Sequence, residues 1–273
     1  MKDLYFYHSF PKGYYNKRSI EKEIGMEILE SICTIGFILA PEVVNWKKSI
    51  GIKTKPHNII QQRICFTLLN PTELEGHSKE FGRFSIEFNT DKLRNIGAMP
   101  VFYVPKGIET NESPSIFMID KILKALNIMN LFESQISIGI KALLGYLYPA
   151  DDDYERLKNY RLKEWRITGN TLLNYIRKKE NLRKKDIDLN EYEKNELIKI
   201  DHNFFTEITG ERKKFKRIDE CVKLYKFNSE HILNYANQII VPDEVEKEAR
   251  KIIDKNTIDC RVTSLSCFKS ENA

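Results

Sequence analysis

The chain has 273 residues and a mass of 32.1 kDa, with 41% hydrophobic and 30% charged side chains. That is enough to bury one large core or two small ones, and it excludes a peptide, a staple-dependent mini-protein and a disordered tail. Forty-four Lys and Arg against thirty-nine Asp and Glu leave +5 and a pI near 8.7, a balance that permits nucleic acid as a partner without requiring it.

The N-terminus, MKDLYFYHSF, carries charged and polar residues where a signal peptide has a long apolar run, so a cytoplasmic protein is expected. Leu4 to Tyr7 reads as a first strand, closed by His8-Ser9-Phe10 before the turn formers Pro11 and Gly13. From Arg18 to Thr34, Ile20, Ile24, Ile28 and Ile32 recur at helical spacing, and Gly36 stands where a helix C-cap belongs. Arg63 to Leu69 is a β-favouring run that ends at the Asn70-Pro71 turn. A short helix over Thr72 to Lys79 leads to strands at Phe84 to Phe88 and Met99 to Val104, with a polar helix between them for which Thr90 is the candidate N-cap.

Ile116 to Tyr148 is the most apolar stretch. Asp120, Lys121, Lys124, Glu133 and Lys141 interrupt it, so no uncharged run reaches the roughly 20 residues of a membrane span. It reads as buried helix with a break near Ser134 or Gly139, ending at the acidic turn Asp151-Asp152-Asp153, and no membrane partner is expected. Tyr160 to Gly169 reads as a strand with Leu162, Glu164 and Arg166 on one face and Lys163, Trp165 and Ile167 on the other. Thr171 to Glu211 is charged and helical in pattern. Residues 154–226 carry 20 Lys and Arg against 13 Asp and Glu, a net +7 that leaves −2 for the rest. Strands are expected at Cys221 to Phe227, Asn237 to Glu244 and Cys260 to Phe268, with a short helix capped by Ser229 and a longer one over Glu244 to Asp254.

Short strands and modest helices without regular βαβ spacing point to an α+β fold, a single mixed-sheet domain. The expected division is a core over 1–170, a basic helical insertion over 171–211, and strands over 212–273 that complete the core. Cys33, Cys65, Cys221, Cys260 and Cys267 form no CxxC pair and no Cys/His cluster at metal-ligand spacing, which points to free thiols and no metal. No Walker loop, GxGxxG, GxSxG or HExxH occurs.

The residues left with chemical potential are His8 at a strand end, His77 and Gly82 in GHSKEFGRF, and Glu164-Trp165-Arg166 within a strand. Each has an ordinary structural explanation. A strand-end His is usually a capping or surface residue, Gly82 fits a helix C-cap, and Glu164 with Arg166 fits a structural ion pair. Lys178, Lys179, Lys184 and Lys185 lie in basic runs, which are usually solvated faces but are also the best candidate surface for phosphate.

The order and spacing of these pieces resemble the AbiGi family of bacterial abortive-infection proteins and, more distantly, the DUF2971 group. The resemblance rests on YFYHSF and the following helix, on RICFTLLNPTEL, on GHSKEFGRFSIEFNTDKLRNIGAMPVFYV, on YRLKEWRI and on FNSEHILNYANQIIVPDE. The family carries an acidic-basic pair just before its Glu-Trp-Arg, where this chain has Arg161-Leu162-Lys163. The resemblance implies phage defence, with a partner protein from the same operon, because related proteins are the antitoxin-like half of a two-gene system. A more remote similarity, in layout, is to DarT-type ADP-ribosyltransferases. It implies an ADP-ribosyltransferase-like core with NAD as cofactor and Glu164 and His8 as catalytic residues. His8, Ser9 and Arg166 would then bind the cofactor, Tyr103 would stack on nicotinamide, and His77 and Trp165 stand as further candidates. The rival reading is a non-catalytic antitoxin or regulator that binds a protein or nucleic acid through the same cleft and basic face.

Overall fold

The opening run folds into β1 (Tyr5–Phe10), and its alternation divides the molecule. Phe6, His8 and Phe10 face one side of a sheet, whereas Tyr7 and Ser9 face the other. The structure is a computed structural model that describes residues 3–14, 17–45, 58–104, 114–130, 135–150, 159–169, 178, 181–207 and 216–268. The acidic turn at 151–153 and Lys179 lie outside the described residues.

Helix α1 (Arg18–Ile35) carries Leu29, Ile32 and Cys33 into the core. It lies against the sheet at Gly25, where a Cβ would stand 2.2 Å from the Phe84 ring. Gly36, at φ +91°, ends the helix as expected and donates its N–H to the Ile32 carbonyl. The chain then turns into β2 (Phe37–Asn45), a strand that the sequence pattern did not reveal because Pro41 breaks its apolar run. β3 (Asn58–Leu69) starts earlier than expected and is the longest strand. Helix α2 (Leu74–Phe81), β4 (Phe84–Asn89) and α3 (Thr90–Ile96) follow. The cap of α3 is Asn89, whose Oδ1 accepts the Asp91 N–H at 2.9 Å, and not Thr90, which is already the first helical residue.

The expected strand over 99–104 is two pieces, β5 (Met99–Pro100) and β6 (Phe102–Val104), because Val101 donates instead to the Glu164 carbonyl. The apolar stretch forms helices α4 (Pro114–Asn130) and α5 (Gln135–Leu144), and its end is strand β7 (Leu147–Pro149) rather than helix. Among the described residues, no helix is long and apolar enough to cross a membrane. β8 (Glu164–Thr168) is shorter than the expected Tyr160 to Gly169. Helices α6 (Lys184–Ile187), α7 (Glu191–Ile200) and α8 (His202–Thr206) bury Leu197 and Phe205 with Ile35 at the end of α1.

Strands β9 (Val222–Leu224), β10 (Lys226–Phe227) and β11 (Glu230–His231) come next. Ser229 does not cap a helix. It and Asn228 both take positive φ, the backbone of a two-residue hairpin turn, and His231 caps the following turn through its Nδ1. β12 (Ala236–Val241), α9 (Glu246–Lys255) and β13 (Arg261–Ser264) complete the chain. The last strand stops at Ser264, because Asp243 takes hydrogen bonds from Ser264 and from the Ser266 N–H and draws the chain away.

Nine strands form one sheet in the order β13, β12, β4, β1, β3, β2, β9, with β8 paired to β3 and β5 to β8. β12 and β13 are parallel and the other pairs of this sheet antiparallel, so the protein is α+β with one mixed sheet. One face is apolar. Phe66, Phe84, Ile86, Phe88 and Ile239 pack there under α1, α3 and α9, within the apolar core whose burial stabilises the fold. The opposite face is polar along its middle, and that face carries the site.

Candidate functional site

The two-residue period of the strands puts Gln61, Arg63, Cys65 and Thr67 of β3 on the polar face. Across the ladder β8 adds Glu164 opposite Thr67, Arg166 opposite Cys65, and Thr168 opposite Arg63. β1 contributes Tyr7 and Ser9, and β4 contributes Ser85. Burying such groups costs free energy unless they are hydrogen-bonded, so a row of them in mid-sheet marks something other than core. Tyr7, Ser9, Arg63, Cys65, Thr67, Glu164 and Arg166 of this row floor a cleft of about 300 Å³. Its walls are α2, through His77 and Phe81, and the β6–β7 pair, through Tyr103 and Tyr148.

Glu164 is fixed at both oxygens. Arg166 Nε donates to Oε1 at 2.7 Å and the Tyr103 hydroxyl donates to Oε2. Burial alone would push this carboxyl up, but the Arg166 charge, the Tyr103 hydroxyl and the Arg63 charge outweigh it and hold Glu164 below the ordinary carboxylate range. Burial works against the charged form of Arg166 as well, yet Cys65, Glu164 and Tyr103 keep it firmly protonated. Arg63 pairs with Glu42 of β2. Its basicity is lowered, first by burial and then by the neighbouring charge of Arg166. Both guanidiniums lie over the Tyr148 ring, at 4.8 and 4.9 Å from its centroid. Arg166 Nη1 and Arg63 Nε are buried and have no hydrogen-bond partner among the described residues.

The second wall is a hydroxyl network. His77 contacts Ser9 Oγ through Nδ1 at 3.2 Å and Thr67 Oγ1 through Nε2 at 3.0 Å, and Ser9 Oγ lies 2.6 Å from Ser85 Oγ. Burial lowers the His77 pKa to about 3, so the ring is neutral near pH 7, with one nitrogen donating and the other accepting. So weak a base does not activate Ser9 as a nucleophile. His77 holds the wall in place, stacked on Phe81 at 4.4 Å and meeting Tyr160 edge-on.

The cleft brings together His8, Ser9, His77, Tyr103, Glu164 and Arg166. His8 is part of its lining, but the His8 ring turns to the apolar side of the sheet. Its Nδ1–H donates to the Cys65 carbonyl, its ring packs among Phe10, Phe37 and Phe66, and burial lowers its pKa. Trp165 is not brought in, since it lies on the apolar face against Phe6 and under Arg94. Lys178, Lys184 and Lys185 are exposed and do not line this cleft, and Lys184 lies 3.8 Å from Asp188. Sequence reasoning missed Arg63, Glu42, Cys65 and Tyr148. The alternation Gln61, Arg63, Cys65, Thr67 against Ile64, Phe66, Leu68 was the available signal for the first and third.

No curated protein and no solved structure matches the chain. A family model described as "Putative abortive phage resistance protein AbiGi, antitoxin" matches residues 42–207, which include Glu42, the whole of β3 and the Glu164-Trp165-Arg166 strand. The match covers more than half of the sequence, with β3 and β8 of the cleft floor, and the chain belongs to the AbiGi family of abortive phage resistance proteins.

Proposed function

We propose that this AbiGi protein serves phage defence through the cleft, by binding NAD and transferring ADP-ribose to a macromolecule. The observation that carries the reading is the pair of orphaned, buried guanidinium N–H groups on Arg166 and Arg63, beside a carboxylate fixed at both oxygens. A buried donor without a partner costs about 1–3 kcal/mol. Two in one cleft fit a ligand that brings oxygen anions. Arg166 and Arg63 would hold the diphosphate of NAD, Ser9 its ribose or amide, and Tyr103 or Tyr148 would flank a ring. When bound, NAD supplies a glycosidic bond whose cleavage places positive charge on the ribose. Glu164, ionised and held by Arg166 and Tyr103, is pre-positioned to stabilise that charge. His8 has its Nδ1–H committed to Cys65, which makes it a support for the β3 backbone in this reading.

The test is release of nicotinamide and transfer of adenylate label from NAD, with nucleic acid and cell lysate supplied as acceptors. Wild type is expected to turn NAD over, and Glu164→Gln to lose about a hundredfold or more. Equal rates for the two proteins would overturn the role of Glu164, and no turnover by either would overturn the transferase reading. The description of the family as antitoxin favours a second reading, a regulator that binds its partner protein from the same system, or nucleic acid through the exposed Lys184 and Lys185. It gains weight if the cleft binds NAD without turnover.

A further inference from the structure

We infer that Arg63 and Arg166 form a two-guanidinium seat for a diphosphate group, and that Glu42 competes with the ligand for the Arg63 half. The inference deepens the proposed function and rests on its reading of the two arginines as an anion site, adding Glu42, to which that reading gives no role.

The register sets the spacing. Arg63 stands opposite Thr168, so Arg166 is its diagonal neighbour on the same face, at the roughly 7–8 Å of such pairs. Both guanidiniums lie over the Tyr148 ring, 4.8 and 4.9 Å from its centroid, so one ligand can reach the two. Among the described residues, Lys12, Arg63, Arg161 and Arg166 line the cleft together with Glu42 and Glu164, so basic side chains are gathered there. His77 is neutral there, and burial disfavours the charged form of His8.

The two acids that offset the arginines differ. Glu164 is nearly enclosed, with 16% of its side chain exposed, and is tied to Tyr103 as well as Arg166. Glu42 lies at the mouth with 45% of its side chain exposed, while the Arg63 side chain it pairs with is only 7% exposed. A carboxylate with that much access to water can leave at little desolvation cost, whereas Arg63 cannot follow it out. Arg63 therefore needs a replacement anion when Glu42 leaves, and its orphaned Nε already points to one more partner than Glu42 and Gln61 supply. A phosphate replaces the Glu42 carboxylate and can satisfy the guanidinium in bidentate fashion.

The test is calorimetric titration of the whole protein with inorganic pyrophosphate, orthophosphate and NAD, for wild type, Glu42→Gln, Arg63→Lys and Arg166→Lys, each first checked for a cooperative thermal transition. Pyrophosphate is expected to bind more tightly than orthophosphate and to compete with NAD. Glu42→Gln is expected to tighten pyrophosphate about twofold to fivefold, the worth of a partly exposed ion pair, and Arg63→Lys to weaken it by about tenfold. The inference is overturned if Glu42→Gln and Arg63→Lys bind pyrophosphate as wild type does while Arg166→Lys does not, a result that leaves the NAD reading standing. It is also overturned if NAD binds and pyrophosphate does not compete. Failure of NAD and pyrophosphate alike to bind any of the four proteins would remove the NAD reading together with it.

Discussion

Arg166→Met is expected to destabilise the protein by about 3–5 kcal/mol at neutral pH and by clearly less near pH 4. Arg166 is among the largest fully buried side chains, and Met replaces most of its volume, so the cost arises from Glu164 left behind rather than from a cavity. In the wild type, Glu164 is held below the ordinary carboxylate range. Its contribution to stability is therefore present above that range and is lost as pH falls through the depressed value. Without Arg166, burial dominates and the carboxyl rises above the ordinary range, so the folded variant takes up a proton that the unfolded chain releases. The penalty in Arg166→Met then grows as pH rises through the ordinary carboxylate value. Urea unfolding near pH 4 and pH 7 measures both arms, and an equal penalty at the two would show that the ion pair is not what fixes this side chain.

Gly82→Ala has the second large expected effect, a loss of about 3 kcal/mol or more. Gly82 joins α2, which carries His77, to β4, which carries Ser85, and it does so at φ +108°. A Cβ there would stand 2.3 Å from the carbonyl carbon of Phe10 and 2.4 Å from its oxygen, backbone atoms that cannot move without shifting β1. Gly13 is the control, because it also has positive φ, +91°, but nothing lies within 4 Å of its added Cβ. Gly13→Ala should therefore cost only the left-handed backbone term, about 1–2 kcal/mol. Similar losses for the two variants would mean that the close approach of α2 and β4 to β1 does not hold the His77 wall.

Much of the layout can be read from the chain itself. Helical spacing located α1 and its glycine stop, and the period of two placed Glu164 and Arg166 on one strand face, where they do make an ion pair. The features that escaped depend on distant partners. β2 reads as a broken apolar run until β3 pairs with it, and Glu42 has no visible role until Arg63 lies within reach. Arg63 itself was absorbed into an apolar strand, because its neighbours Ile64 and Phe66 dominate the local composition while it faces the other way. The hairpin at Asn228-Ser229 escaped for a local reason, since Ser is a common helix cap and less often a left-handed turn residue.

In the proposed function, the buried arginines of the polar face belong to a ligand site rather than to the scaffold. The nitrogen-15 spectrum of the arginine side chains tests it most directly, recorded with increasing NAD for wild type and Arg166→Lys. The Arg63 and Arg166 Nε–H signals are expected to shift and saturate in the wild type, and in Arg166→Lys the Arg63 signal is expected to move only at much higher NAD. Signals that stay fixed throughout the titration, or shifts confined to arginines outside the cleft, would contradict it.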